Sequence, residues 1–115
     1  MKGGEKEMKK FVFVYHGKTT PEDINPEAMK ATMDKWMAWF DTFKDSMVDG
    51  GNPFAKDAKS VTAKGVEVIS AENWPATGYT IINAEDMEAA TEIAKGCPVL
   101  EDGEGSVRVY EAMPM

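Results

Sequence analysis

One cysteine, one histidine and only 13 basic residues against 20 acidic ones are the scarcities that bound this 115-residue chain. Cys97 has no second cysteine to pair with, so no internal disulfide forms, and one Cys and one His far apart give no metal-ligand spacing. The net charge of −7 opposes phosphate backbones and anionic lipid, which removes nucleic acid and membrane surfaces from the expected partners. No apolar run is long enough for a signal peptide or a membrane span, and the cytoplasm is the expected compartment. Internal repeats and low-complexity segments are missing. Gly103-Glu-Gly105 has neither a strand before it nor a helix after it, so it reads as a turn and not as a dinucleotide fingerprint. No metal and no cofactor are expected.

What the chain does contain is one domain's worth of well-marked elements. Residues 1–9 are polar and aperiodic and read as a flexible tail, leaving a single α+β domain over 10–115. Lys10 to His16 reads as a strand with Phe11, Phe13 and Tyr15 on one face and Val12 and Val14 on the other, so both faces need cover. After a loop from Gly17, Asn25-Pro26 fits an N-cap and first helical turn. Met29, Met33, Trp36, Phe40, Phe43 and Met47 then step by four and three into a narrow seam, with Met37 and Trp39 on its rims and Gly50-Gly51 as the stop. Ser60 to Thr62 and Val66 to Ile69 alternate as a hairpin around Lys64-Gly65. Gly78 to Pro98 reads as a β-branched strand over Tyr79–Ile82, an N-cap at Asn83, a helix bearing Met87, Ala90, Ile93 and Ala94, and an exit at Gly96. Ser106 to Glu111 is the last strand. The order predicts a ferredoxin-like α+β sandwich, βαββαβ with an extra hairpin strand and both helices on one sheet face.

Such a sandwich leaves the other sheet face bare, yet these strands carry apolar residues at both parities: Tyr79 and Ile81 against Ile82, Val107 and Val109 against Tyr110. An apolar face of several hundred Å² is not usually left in water, and a second subunit is the economical cover. The expectation is a homodimer with its sheets face to face.

Gly50-Gly-Asn-Pro-Phe54, Gly78-Tyr-Thr-Ile-Ile82, the run Ala84 to Pro98 and the ending Val107-Arg-Val-Tyr-Glu-Ala-Met113 resemble the YCII-related domain family, in its branch with a Trp-rich first helix. The likeness covers nearly all of the chain after Met8. It implies a dimeric α+β barrel of ferredoxin-like subunits and says little about activity. Small members of that family pair a His in the first helix with an Asp, but this first helix has no His, so no such dyad carries over. Other members have Asp-Gly-Pro-Phe after the second strand, where this chain has only the earlier Asn52-Pro53-Phe54-Ala55.

The candidate catalytic group is His16, at the end of the first strand beside Gly17, where a base active near neutral pH is well placed; the alternative is a strand-end residue bonded to local backbone. Trp39 on the seam's rim, Trp74 in the Asn73-Trp-Pro75 loop, Arg108 and Tyr110 are the candidate ligand-binding residues. Arg108 alternates away from Val107 and Val109, so a sheet-to-sheet dimer buries it beside Tyr110 and gives it need of an anion, from a ligand or from Glu67 or Glu111. Asp34 reads as a solvated partner for Lys30, and Cys97, beyond a helix C-terminus, as structural. Two functions stand: a small-molecule pocket between the first-strand end, the first helix and the sheet, including an acid–base enzyme, or a non-catalytic dimeric interaction or ligand-sensing module. Deleting Met1 to Glu7 is expected to move the melting temperature by no more than a degree or two, since a polar, aperiodic terminus has nothing to bury; a loss of several degrees in a thermal melt would show it docked.

Overall fold

The computed structural model describes residues 7–18, 24–101 and 103–114. The expected tail up to Lys6, and residues 19–23 of the loop after the first strand, lie outside the described residues. The order is β1 (Lys9–His16), α1 (Pro26–Thr42), β2 (Met47–Asp49), β3 (Lys59–Thr62), β4 (Gly65–Val68), β5 (Ala76–Ala84), α2 (Met87–Ala94) and β6 (Ser106–Ala112), with short 3-10 turns at Lys44–Ser46, Ala71–Asn73 and Pro98–Leu100. The main sheet runs β2-β5-β1-β6 and its pairings are antiparallel. Two βαβ halves interleave in this order, which is the ferredoxin-like α+β sandwich of dimeric α+β barrels.

The split of β1 into two faces decides the rest. Phe11, Phe13 and Tyr15 are buried and Val12, Val14 and His16 half-buried. On β5 the same face carries buried Gly78, Thr80, Ile82 and Ala84. In register with these, Val107 and Val109 of β6 stand opposite Tyr15 and Phe13 and join the same core. Helix α2 lies close to the sheet because Ala90 and Ala94, one turn apart, put only methyl groups into the contact.

Five expectations are corrected here. Helix α1 stops at Thr42, eight residues before Gly50-Gly51, because Met47-Val-Asp49 is taken up as β2, pairing Met47 with Ile82 and satisfying the backbone edge of β5. The hairpin β3–β4 is a separate two-stranded sheet, and β2 takes the outer place in the main sheet. The seam of α1 is rotated toward Trp39, which is 5% exposed, whereas Met33 and Met37 are 50% and 61% exposed. Trp39 is stable there because its indole N–H donates to the Ile93 carbonyl at 3.1 Å, so the buried ring leaves no unpaired donor. The second helix is capped by Asp86 and not Asn83, which stays in β5; the Asp86 carboxylate accepts from the Ala89 N–H at 2.8 Å. Gly96, expected as the exit, does not take a left-handed backbone, and a Cβ there would meet the Trp39 ring at 3.6 Å, an ordinary contact. Asn25 caps α1 as expected, accepting from the Ala28 N–H at 2.8 Å ahead of Pro26.

Trp39 is the hub of this core, with ring centroids 5.8 Å from Trp36, 5.4 Å from Phe40, 6.2 Å from Phe13 and 6.3 Å from Phe43. Trp39→Ala is therefore expected to cost about 3–5 kcal/mol in denaturant titration, more than Phe40→Ala, while Met37→Ala costs no more than about 0.5 kcal/mol. Equal losses at the two tryptophan-seam positions and Met37 would mean that α1 presents a different face to the sheet.

Candidate functional site

The uncovered face is an ordered grid. Pairing on both sides of β1 aligns Ile81, Val12 and Tyr110 in one row across three strands, and Tyr79, Val14 and Arg108 in the next. His16 and Ser106 form the end row, opposite Ala76. Residues opposite one another in such rows have Cβ atoms about 5 Å apart, and diagonal neighbours about 7–8 Å. His16, Arg108 and Tyr110 thus share one surface floored by Val12 and Val14. Arg108 forms no ion pair among the described residues, and Tyr110 is 49% exposed.

His16 is aimed by local structure. The pairing of β1 with β5 shifts register between Tyr15 and His16, a bulge that skips Thr77. Such irregularities re-aim a side chain at the end of a ladder. Nδ1 of His16 then lies 2.9 Å from the Trp74 carbonyl oxygen. A carbonyl only accepts, so Nδ1 carries the proton and, in the neutral ring, Nε2 keeps the basic lone pair. Trp74 delivers that carbonyl from a left-handed backbone, with φ of 50°, that is uncommon for a bulky residue. Its ring is 40% exposed and carries the Lys18 ammonium 4.9 Å from its centroid. His16 and Trp74 are joined as a unit.

Trp39 does not belong to this group. It sits on the opposite side of the sheet with its N–H engaged. The space between sheet and α1, where the expected pocket would lie, is filled by Trp36, Trp39 and Phe40. A shallow, open concavity at the head of α1 is lined by Asn25, Pro26, Glu27 and Ala28, which among the described residues offer no base or nucleophile beyond one carboxylate. Neither suggested acid partner faces Arg108: Glu111 pairs with Phe11 at the other parity, and Glu67 belongs to the hairpin.

Tyr79 was missed by sequence reasoning. Strand alternation gives its face, but only the register sets it across Val14 from Arg108. Its hydroxyl is 3.5 Å from Asp49 Oδ2, and Phe54 stacks on its ring at 5.9 Å between centroids. The route of the chain past Tyr79 depends on Gly51, at φ of 80°, where a Cβ would collide with the Tyr79 carbonyl oxygen. Pro53 then bridges to Gly78, and the Phe54 N–H donates to the Thr77 carbonyl at 2.8 Å.

Comparison with protein-family models and with curated proteins finds no match. Among solved structures, the chain is similar to 5-chloro-2-hydroxyhydroquinone dehydrochlorinase from Burkholderia phenoliruptrix in complex with 2,5-dihydroxybenzoquinone, with a TM-score of 0.53 and 13% identity over 92% of this chain and 95% of that one. The fold is shared. At that identity nothing finer follows. Among the described residues no three His, Cys, Asp or Glu side chains cluster as metal ligands, and no helix is long and apolar enough to cross a membrane.

On the covered side lies a buried polar chain that the site does not use. The Tyr15 hydroxyl donates to Thr80 Oγ1 at 2.6 Å, and the Thr80 hydroxyl donates to the Gly50 carbonyl at 2.9 Å. Burial pushes the Tyr15 phenol well above its ordinary range and raises the Cys97 thiol from 9.0 to about 12, against small opposing contributions from Val99 backbone and Tyr15. Cys97 is thus a protonated core residue, inert as a nucleophile. The folded state holds these protons where the unfolded chain releases them, so stability is full below the unfolded pKa values and falls as pH rises from about 9 toward 12. Urea titrations at rising pH are expected to show that loss, with a smaller slope in Cys97→Ala; an identical slope would remove Cys97 from the account.

Proposed function

We propose that this chain is a small-molecule binding protein of the YCII-related kind, acting as a homodimer whose uncovered sheet faces pack together around the ligand. The observation that carries the reading is the grid itself: Arg108, Tyr110, Tyr79 and His16 surround an apolar floor on a face that the chain's own helices do not cover. Val12, Val14 and Ile81 supply the burial that drives pairing. Pairing withdraws water from Arg108, and a buried guanidinium needs an acceptor, which an oxygen-rich ligand provides. Tyr110 offers a ring face and a hydroxyl donor, and Nε2 of His16 takes or returns a proton, so general acid–base chemistry is within reach. The solved neighbour, similar in fold, holds a planar oxygen-rich molecule, which supports a ligand of this class. The cytoplasm is the compartment we assign, in keeping with a lone buried cysteine.

A second reading, a non-catalytic dimer or ligand sensor, is favoured by one feature: the hydrogen bond of His16 goes to a backbone carbonyl and not to a second acid or base. One experiment addresses both. Titration with 2,5-dihydroxybenzoquinone as probe, by calorimetry, is expected to show binding that His16→Ala and Arg108→Ala each weaken at least about tenfold, with melting temperature and sedimentation unchanged. Binding without turnover selects the sensor. Equal probe affinity in wild type and both variants would contradict a site on this face.

A further inference from the structure

Beyond the main sheet, β3 and β4 form a projecting ribbon that the proposed ligand site leaves unexplained. Its register opposes Lys59 to Val68, Ser60 to Glu67, Val61 to Val66 and Thr62 to Gly65. One face therefore bears Lys59 with Val61, Val66 and Val68, the valines being 74%, 61% and 73% exposed, and the other bears Ser60, Thr62 and Glu67. The binary pattern is that of a ribbon with a side to bury, yet every residue of both strands is exposed. A two-stranded hairpin alone in water is marginal at best.

We infer that this ribbon is a clasp: its valine face packs on a second copy of the chain, outside the face-to-face contact of the two sheets. The inference rests on the homodimer proposed above. Two observations favour a second copy over another partner. The ribbon is continuous with the uncovered face, since the chain leaving for β3 passes Phe54, which stacks on Tyr79, and bridges Pro53 to Gly78 at the sheet margin. It returns through Trp74 and Pro75, whose carbonyls accept from His16 Nδ1 and the Gly17 N–H, so both roots are pinned at the rim of the sheet. A ribbon rooted at that rim and unpacked on its own sheet lies beside whatever the sheet faces.

The test replaces Val61, Val66 and Val68 together by Thr, which keeps β-branching and volume while adding a hydroxyl that burial penalises. Sedimentation equilibrium on the full chain is expected to give a wild-type dimer and, for the triple variant, a dissociation constant at least about tenfold larger with the circular dichroism spectrum retained. As a second readout, Val66→Cys labelled with a polarity-sensitive dye is expected to shift to the blue as concentration drives dimerisation; Cys97, being buried, does not compete for the label. A wild-type dimer whose dissociation constant the triple substitution leaves unchanged, or a label in water at every concentration, overturns the clasp alone. A wild-type chain that stays monomeric overturns the dimer and the clasp together.

Discussion

A sheet that is apolar on both faces must be covered twice, and this chain has helices for one side only. Phe11, Phe13 and Tyr15 commit one face of β1 to the core, and Val12 and Val14 give the other face the same need. The helices answer the first demand through a cluster of aromatic rings around Trp39 and through the small residues Ala90 and Ala94. Every functional statement about the molecule follows from the second demand. The residues with usable chemistry, His16, Arg108, Tyr79 and Tyr110, stand on the face that is still open.

The two faces differ in how their polar groups are treated. On the covered side the Tyr15 and Thr80 hydroxyls are paired in series, ending at the Gly50 carbonyl, and no buried side-chain nitrogen or oxygen among the described residues lacks a partner. A satisfied interior of that kind specifies one packing and offers no chemistry. On the open side Arg108 has no ion pair among the described residues, and the imidazole has one nitrogen engaged and one to spare. Unspent polar capacity on an apolar floor is what a binding surface has and a core has not.

Much of this was legible in the residues. Alternation along Phe11–Tyr15 gave both faces of β1 and with them the need for a second cover, and Asn25-Pro26 announced the start of α1 correctly. Periodicity misled at both ends of that helix's seam. It counted Met33 as core and put Met47, which does pack on the core, in the helix, because a helical wheel records spacing and not where the helix overhangs the sheet or where its last turns are claimed by a strand. Trp39 looked peripheral for the same reason; its burial depends on the Ile93 carbonyl, 54 residues away, which no local pattern reveals. The site was half visible. Parity joined Arg108 to Tyr110, but placing Tyr79 opposite Arg108 and tying His16 to Trp74 required strand register and a left-handed backbone at position 74.

That the open face is buried against a copy of itself is the claim from which the ligand site and the clasp both follow. Hydroxyl-radical footprinting across a dilution series tests it at the residue concerned. Tyr110 is 49% exposed in the single chain and Met37, on the outer side of α1, is 61% exposed. The account predicts that modification of Tyr110 falls steeply as the protein is concentrated while oxidation of Met37 stays constant. Modification of Tyr110 at the rate of an exposed tyrosine throughout the series would contradict it.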